Sequence, residues 1–132
     1  MQTITSLIRK SPEACWRVLV DPALLTGWVP GLRKARVVAT YPTGLPREIT
    51  FEFSSSLVYS LVYTYDAPRE LRWTPGLGAR DAVCGFARLE PHESGTRLTY
   101  GLELGGARSQ KDRAIGDPDA IVAEFVAWMH AY

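Results

Sequence analysis

The chain has 132 residues, 46% of them hydrophobic and 22% charged, with a net charge of +1. That length suits a single domain spanning residues 1–132, which buries about two-thirds of its unfolded surface without help from a metal or a disulfide. The near-neutral balance excludes a global field for nucleic acid or an anionic membrane, and no apolar run approaches the ~20 residues of a membrane span. The opening MQTITSLIRK lacks the charged, apolar, small-residue order of a signal peptide. A cytoplasmic protein is expected, with no nucleic-acid partner and no integral membrane segment.

Residues 2–9 alternate as a strand, with Ile4, Ser6 and Ile8 on one face. Ser11-Pro12 then has the chemistry of a helix start: a hydroxyl that caps an orphan N–H, followed by a proline whose missing N–H costs nothing. Cys15, Trp16, Leu19 and Val20 form the apolar stripe of this first helix. Asp21-Pro22 repeats the device for a second, with Leu24, Leu25 and Trp28 on its stripe, and Pro30-Gly31 stops it.

Almost everything from there to the C-terminal helix reads as β. Strands are expected over 32–41, 47–54, 57–66, 70–74, 81–90 and 96–104, with a hairpin loop at Pro91–Gly95. In the second of these Ile49, Phe51 and Phe53 share a face opposite Glu48 and Glu52. In the third, Tyr59, Leu61, Tyr63 and Tyr65 share one. Leu71 with Trp73, and Leu98, Tyr100 and Leu102, continue the pattern. The stretch 105–116 is polar and aperiodic, a connector. Asp117-Pro118 opens a last helix whose broad apolar face carries Ile121, Val122, Phe125, Trp128, Met129 and Tyr132.

Seven strands, each apolar on one face, need a cover on that face, and the last helix is the element long and apolar enough to supply it. A twisted antiparallel sheet curls around such a helix. The element order, together with SPEACWRVLVDPALLTGWVPGLRKARVV, resembles the START / Bet v 1-like superfamily, nearest to its polyketide cyclase/dehydrase and lipid-transport group. Pro12, Trp16, Asp21-Pro22, Trp28 and Pro30-Gly31 carry that resemblance. It implies an α+β helix-grip fold: a seven-stranded curved antiparallel sheet around a C-terminal helix, in the order β-α-α-β-β-β-β-β-β-α, enclosing an apolar pocket. It does not imply one activity, since carriers, receptors, cyclases, chaperone activators and a toxin share the fold.

The pattern directs the site to large apolar side chains with a few hydroxyls, which give a small-molecule pocket its area and its orienting donors. The ligand-binding candidates are Phe51, Tyr59, Tyr63, Trp73 and Tyr100 from the sheet, with Phe125 and Met129 from the helix. They point to a small hydrophobic or aromatic ligand held between sheet and C-terminal helix. Two other classes stay open at this stage: a polyketide cyclase, aromatase or dehydratase, which a polar residue aimed into the pocket would favour, and a protein-partner module, which a solid interior would favour.

No catalytic constellation, cofactor motif or metal-ligand spacing stands out. His92 falls in a turn and His130 on a polar helix face. Cys15 and Cys84 read as buried, reduced thiols. Glu48, Glu52, Glu90 and Glu103 fall on the solvated side of the sheet, and Arg33, Lys34 and Arg36 read as surface.

Overall fold

The computed structural model describes residues 2–76, 84–103 and 118–131. The expected start of the sixth strand, the 105–116 connector, the Asp117 cap and the placement of Tyr132 lie outside the described residues. Seven strands form one antiparallel sheet: β1 (Gln2–Ile8), β2 (Leu32–Thr40), β3 (Pro46–Phe53), β4 (Val58–Asp66), β5 (Glu70–Pro75), β6 (Cys84–His92) and β7 (Gly95–Glu103). Their spatial order is β1-β7-β6-β5-β4-β3-β2. Helix α1 (Pro12–Leu19), a 3-10 turn (Pro22–Leu24) and the short helix α2 (Leu25–Trp28) join β1 to β2, and α3 (Pro118–Ala131) follows the sheet. This is the helix-grip architecture.

The topology decides where the helices lie. β1 and β2 are adjacent in the chain apart from the helix pair, yet they occupy opposite edges of the sheet. The helix pair must therefore cross the sheet from edge to edge, and its apolar stripes turn towards the hollow. Both N-caps form: Ser11 Oγ accepts from Ala14 N at 3.1 Å, and an Asp21 carboxylate oxygen accepts from Ala23 N at 3.0 Å.

Alternation builds the concave face. Ile49, Phe51 and Phe53 of β3, Leu71 and Trp73 of β5, and Leu98, Tyr100 and Leu102 of β7 are all buried there. Helix α3 lies mainly over β1 and β7, with Ile121, Val122, Phe125 and Met129 buried. Its other neighbour is α2, where the Trp128 ring rests against Gly27 so closely that a Cβ on Gly27 would stand 2.5 Å from a ring carbon. His130 anchors the far end of α3, its Nε2 accepting from Arg9 N at 3.1 Å. Across the same corner Thr96, fully buried, donates from Oγ1 to Lys10 O at 2.7 Å.

Two expectations change. Pro91 and His92 remain in β6, opposite Thr96 and Gly95, so the hairpin loop is shorter than the Pro91–Gly95 stretch. Gly95 makes the tight reversal feasible with φ +138°, a conformation other residues adopt only under strain. Cys84 is half-buried rather than core, on the convex face, where its thiol contacts the Glu103 carboxylate at 3.4 Å. Cys15 is fully buried, and both thiols are free.

Candidate functional site

The sheet register assembles a row of rings across the hollow. Tyr63 of β4 stands opposite Trp73 of β5, and Trp73 stands opposite Gly85 of β6. Gly85 has no side chain to lift the indole off the sheet, so Trp73 leans across it: a Cβ there would meet Trp73 Cζ2 at 2.8 Å. The indole thereby reaches Tyr100 of β7, ring centroids 5.3 Å apart, while Tyr63 lies 6.3 Å away on its other side. Along β3 and β4 a second cluster forms, with Tyr59 edge-on to Phe51 at 5.9 Å and 5.4 Å from Phe53.

These two clusters floor a partly open cavity of about 80 Å³. Its roof is the helix pair, through Leu19, Leu25, Trp28 and Val29, with Ile121 from the first turns of α3. None of its lining residues among those described is charged. The polar atoms are therefore few and their partners decide the chemistry. Tyr65 Oη, outside the lining, donates to Pro46 O at 2.7 Å, and Tyr41 Oη donates to Tyr63 O at 2.7 Å. The Tyr63 and Tyr100 hydroxyls, by contrast, make no hydrogen bond to any described residue. Trp28 Nε1 is buried without an acceptor among the described residues. Such a donor costs about 1–3 kcal/mol relative to a satisfied one.

Burial pushes the Tyr63 phenol well above its ordinary pKa, with the neighbouring Tyr100, Tyr65 and Tyr59 hydroxyls adding to the effect. Burial raises Tyr100 too, with Tyr59 contributing. Both side chains are therefore neutral phenols at physiological pH, able to donate a hydrogen bond.

Of the residues singled out from sequence, Phe51, Tyr59, Tyr63, Trp73 and Tyr100 line the cavity; Phe125 and Met129 do not. Phe125 packs edge-on against Trp28 at 4.9 Å and backs the roof. Met129 is buried on α3, a helix that lies mainly over β1 and β7. The cavity thus lies chiefly between the sheet and the helix pair, rather than beneath the length of the C-terminal helix. Leu19, Leu25, Trp28 and Val29 were not anticipated as lining. The stripes of the helix pair held the signal, since a connection between opposite sheet edges has to roof the hollow.

The polar candidates lie elsewhere. Arg88 pairs with Glu70 at 2.8 Å on the convex face and covers the Phe86 ring at 5.1 Å; Glu90 pairs with Arg97 at 3.0 Å and Glu52 with Arg33 at 4.0 Å. His92 Nδ1 contacts Ser94 Oγ at 2.8 Å in the β6–β7 hairpin. Among the described residues no cluster of His, Cys, Asp or Glu could hold a metal ion, and no helix is long and apolar enough to cross a membrane.

Comparison of the whole fold decides its class. A START superfamily protein from Mycobacterium smegmatis superposes with a TM-score of 0.79 over 98% of this chain and 97% of that one, at 12% identity. The chain has a START-like fold. A STAR-related lipid transfer protein from Xanthomonas axonopodis (fragment 25-204) matches at TM-score 0.70 and 14% identity, over 97% of this chain and 84% of that one. An AHSA1-like protein from Aeromonas hydrophila matches at TM-score 0.70 and 13% identity, over 98% and 92%. No family model and no curated protein matches the sequence. At such identities the START-like fold is shared as backbone path, and the lining of this cavity is this chain's own.

Proposed function

We propose that the chain, as one domain over 1–132, binds a small hydrophobic or aromatic molecule in the cavity between its sheet and its helix pair. The observation that carries this is a cavity of about 80 Å³ walled by aromatic rings, with no charged residue among its described lining and two hydroxyls that make no hydrogen bond to a described residue. Phe51, Tyr59, Tyr63, Trp73 and Tyr100 contact the ligand. Phe125 and Met129 act from behind, by holding Trp28 and α3 in place. The START-like backbone, shared with a protein named for lipid transfer, supports a binding role.

The cavity favours binding over the two other readings. Cyclisation or dehydration of a polyketide-like substrate calls for a base to take a proton, and the described lining offers neutral phenols, which can give one, but no carboxylate, imidazole or amine to accept it. A module that works only through its outer faces has no use for a hollow interior. Native mass spectrometry of the purified protein tests the proposal: a bound small molecule is expected, and it is expected to be lost from Trp73→Ala and Tyr63→Ala proteins that still fold. Undiminished occupancy in both variants would exclude this cavity as the site.

A further inference from the structure

The polar groups of this cavity restrict its occupant more narrowly than hydrophobicity does. Building on the binding role proposed above, we infer that the ligand is an uncharged, compact molecule carrying an acceptor oxygen, an aryl ketone or its like, held by the hydroxyls of Tyr63 and Tyr100.

Two observations support this independently. The first is the donor inventory. Tyr65 and Tyr41 show what phenols in this fold do when their role is structural: each donates to a backbone carbonyl at 2.7 Å. Tyr63 and Tyr100, flanking Trp73 on the cavity floor, do not. Trp28 Nε1 in the roof is a third donor without an acceptor among the described residues. A wall with surplus donors suits a guest that brings acceptors.

The second is charge. Tyr63 and Tyr100 stay protonated, and no carboxylate is among the described lining residues, so these residues present donors and no anion to a cationic guest. No arginine, lysine or histidine is among the described lining residues, so a carboxylate or phosphate would be buried without a counter-charge. Size adds a limit. An apolar cavity of ~150 Å³ takes benzene, and the volume here is about 80 Å³ with an open side. The enclosed space is smaller than that, so one ring with a short polar substituent is the upper limit, with part of it lying in the open side.

The test compares acetophenone, its alkene isostere α-methylstyrene and the anion benzoate by NMR titration of the whole protein, with Tyr63→Phe/Tyr100→Phe as the variant. Because neither hydroxyl is bonded within the described protein, the double variant is expected to melt no lower than the parent. In the parent, benzoate is expected to bind at least about tenfold more weakly than acetophenone. In the double variant, the preference for acetophenone relative to α-methylstyrene is expected to fall about tenfold, while α-methylstyrene binding holds. An unchanged ratio with both neutral compounds still binding would overturn the acceptor inference and leave the pocket in place. Benzoate binding as tightly as acetophenone would overturn the requirement for an uncharged guest. Binding of neither neutral compound to the parent would overturn the inference and the cavity assignment together.

Discussion

Gly85→Ala tests the link between the sheet and the shape of the cavity. The added methyl would project into the hollow, overlapping the carbonyl oxygen of Gly101 on β7 and standing 2.8 Å from Trp73 Cζ2. Ordinary contact begins near 3.4 Å, so both neighbours must move. The carbonyl belongs to the backbone of a paired strand and cannot rotate away as a side chain would. Overpacking of this kind costs about 1–3 kcal/mol, and an obstacle made partly of backbone puts the cost near 3 kcal/mol. For a protein of this size that lowers Tm by about 10 °C. The indole has one direction in which to yield, off the sheet and into the cavity, so ligand binding should weaken as well. Thermal unfolding followed by circular dichroism, and titration with the same aryl ketone, read the two effects. A variant melting within about 2 °C of the parent, with its affinity intact, would show that Trp73 does not depend on the bare backbone of Gly85.

Further substitutions probe other contacts. Trp73→Ala removes a large ring that is only 6% exposed and should cost about 3–5 kcal/mol in chemical denaturation, together with ligand binding. Thr96→Val keeps the shape but strips the hydroxyl from Lys10 O, so a loss of about 1–3 kcal/mol is expected, whereas Thr96→Ser should retain the bond. Tyr65→Phe deletes the bond to Pro46 O and should lower stability by about 1 kcal/mol without changing ligand affinity, the opposite of the pattern expected for Tyr63→Phe. Glu70 supplies a pH dependence. Burial alone would raise its pKa, but hydrogen bonds and charge from Arg88 and Arg72 outweigh it and hold the carboxyl below its ordinary 4.5. A carboxylate depressed by folding stabilises above its unfolded pKa, and that contribution disappears as pH falls through the folded one. Glu70→Gln should therefore melt lower than the parent at pH 7, and the gap should close below pH 4.5; a gap independent of pH would assign the pair no electrostatic role.

Local chemistry written in the chain set its elements and their faces. Ser11-Pro12 and Asp21-Pro22 start their helices because capping needs only neighbouring residues. A period of two puts Phe51, Tyr63, Trp73 and Tyr100 on the concave side because side chains alternate along any strand. A curved sheet covered by the last helix was legible for the same reason, since seven half-apolar strands and one amphipathic helix leave few ways to bury their faces, whereas its START-like character rested on the resemblance carried by Pro12, Trp16, Asp21-Pro22, Trp28 and Pro30-Gly31. What the alternation does not hold is lateral position. Phe125 and Met129 lie on the correct face of α3, but that helix settles over β1 and β7, a choice made by packing against strands distant in sequence, β1 lying at the opposite end of the chain. The roof of the cavity falls instead to Trp28 and its neighbours, because strand pairing sends β1 and β2 to opposite edges. Which phenols are spent on backbone carbonyls and which are left to face the cavity is likewise decided by distance in space: Tyr65 and Tyr63 are two residues apart on one strand, and only the folded sheet brings Pro46 O within reach of the first.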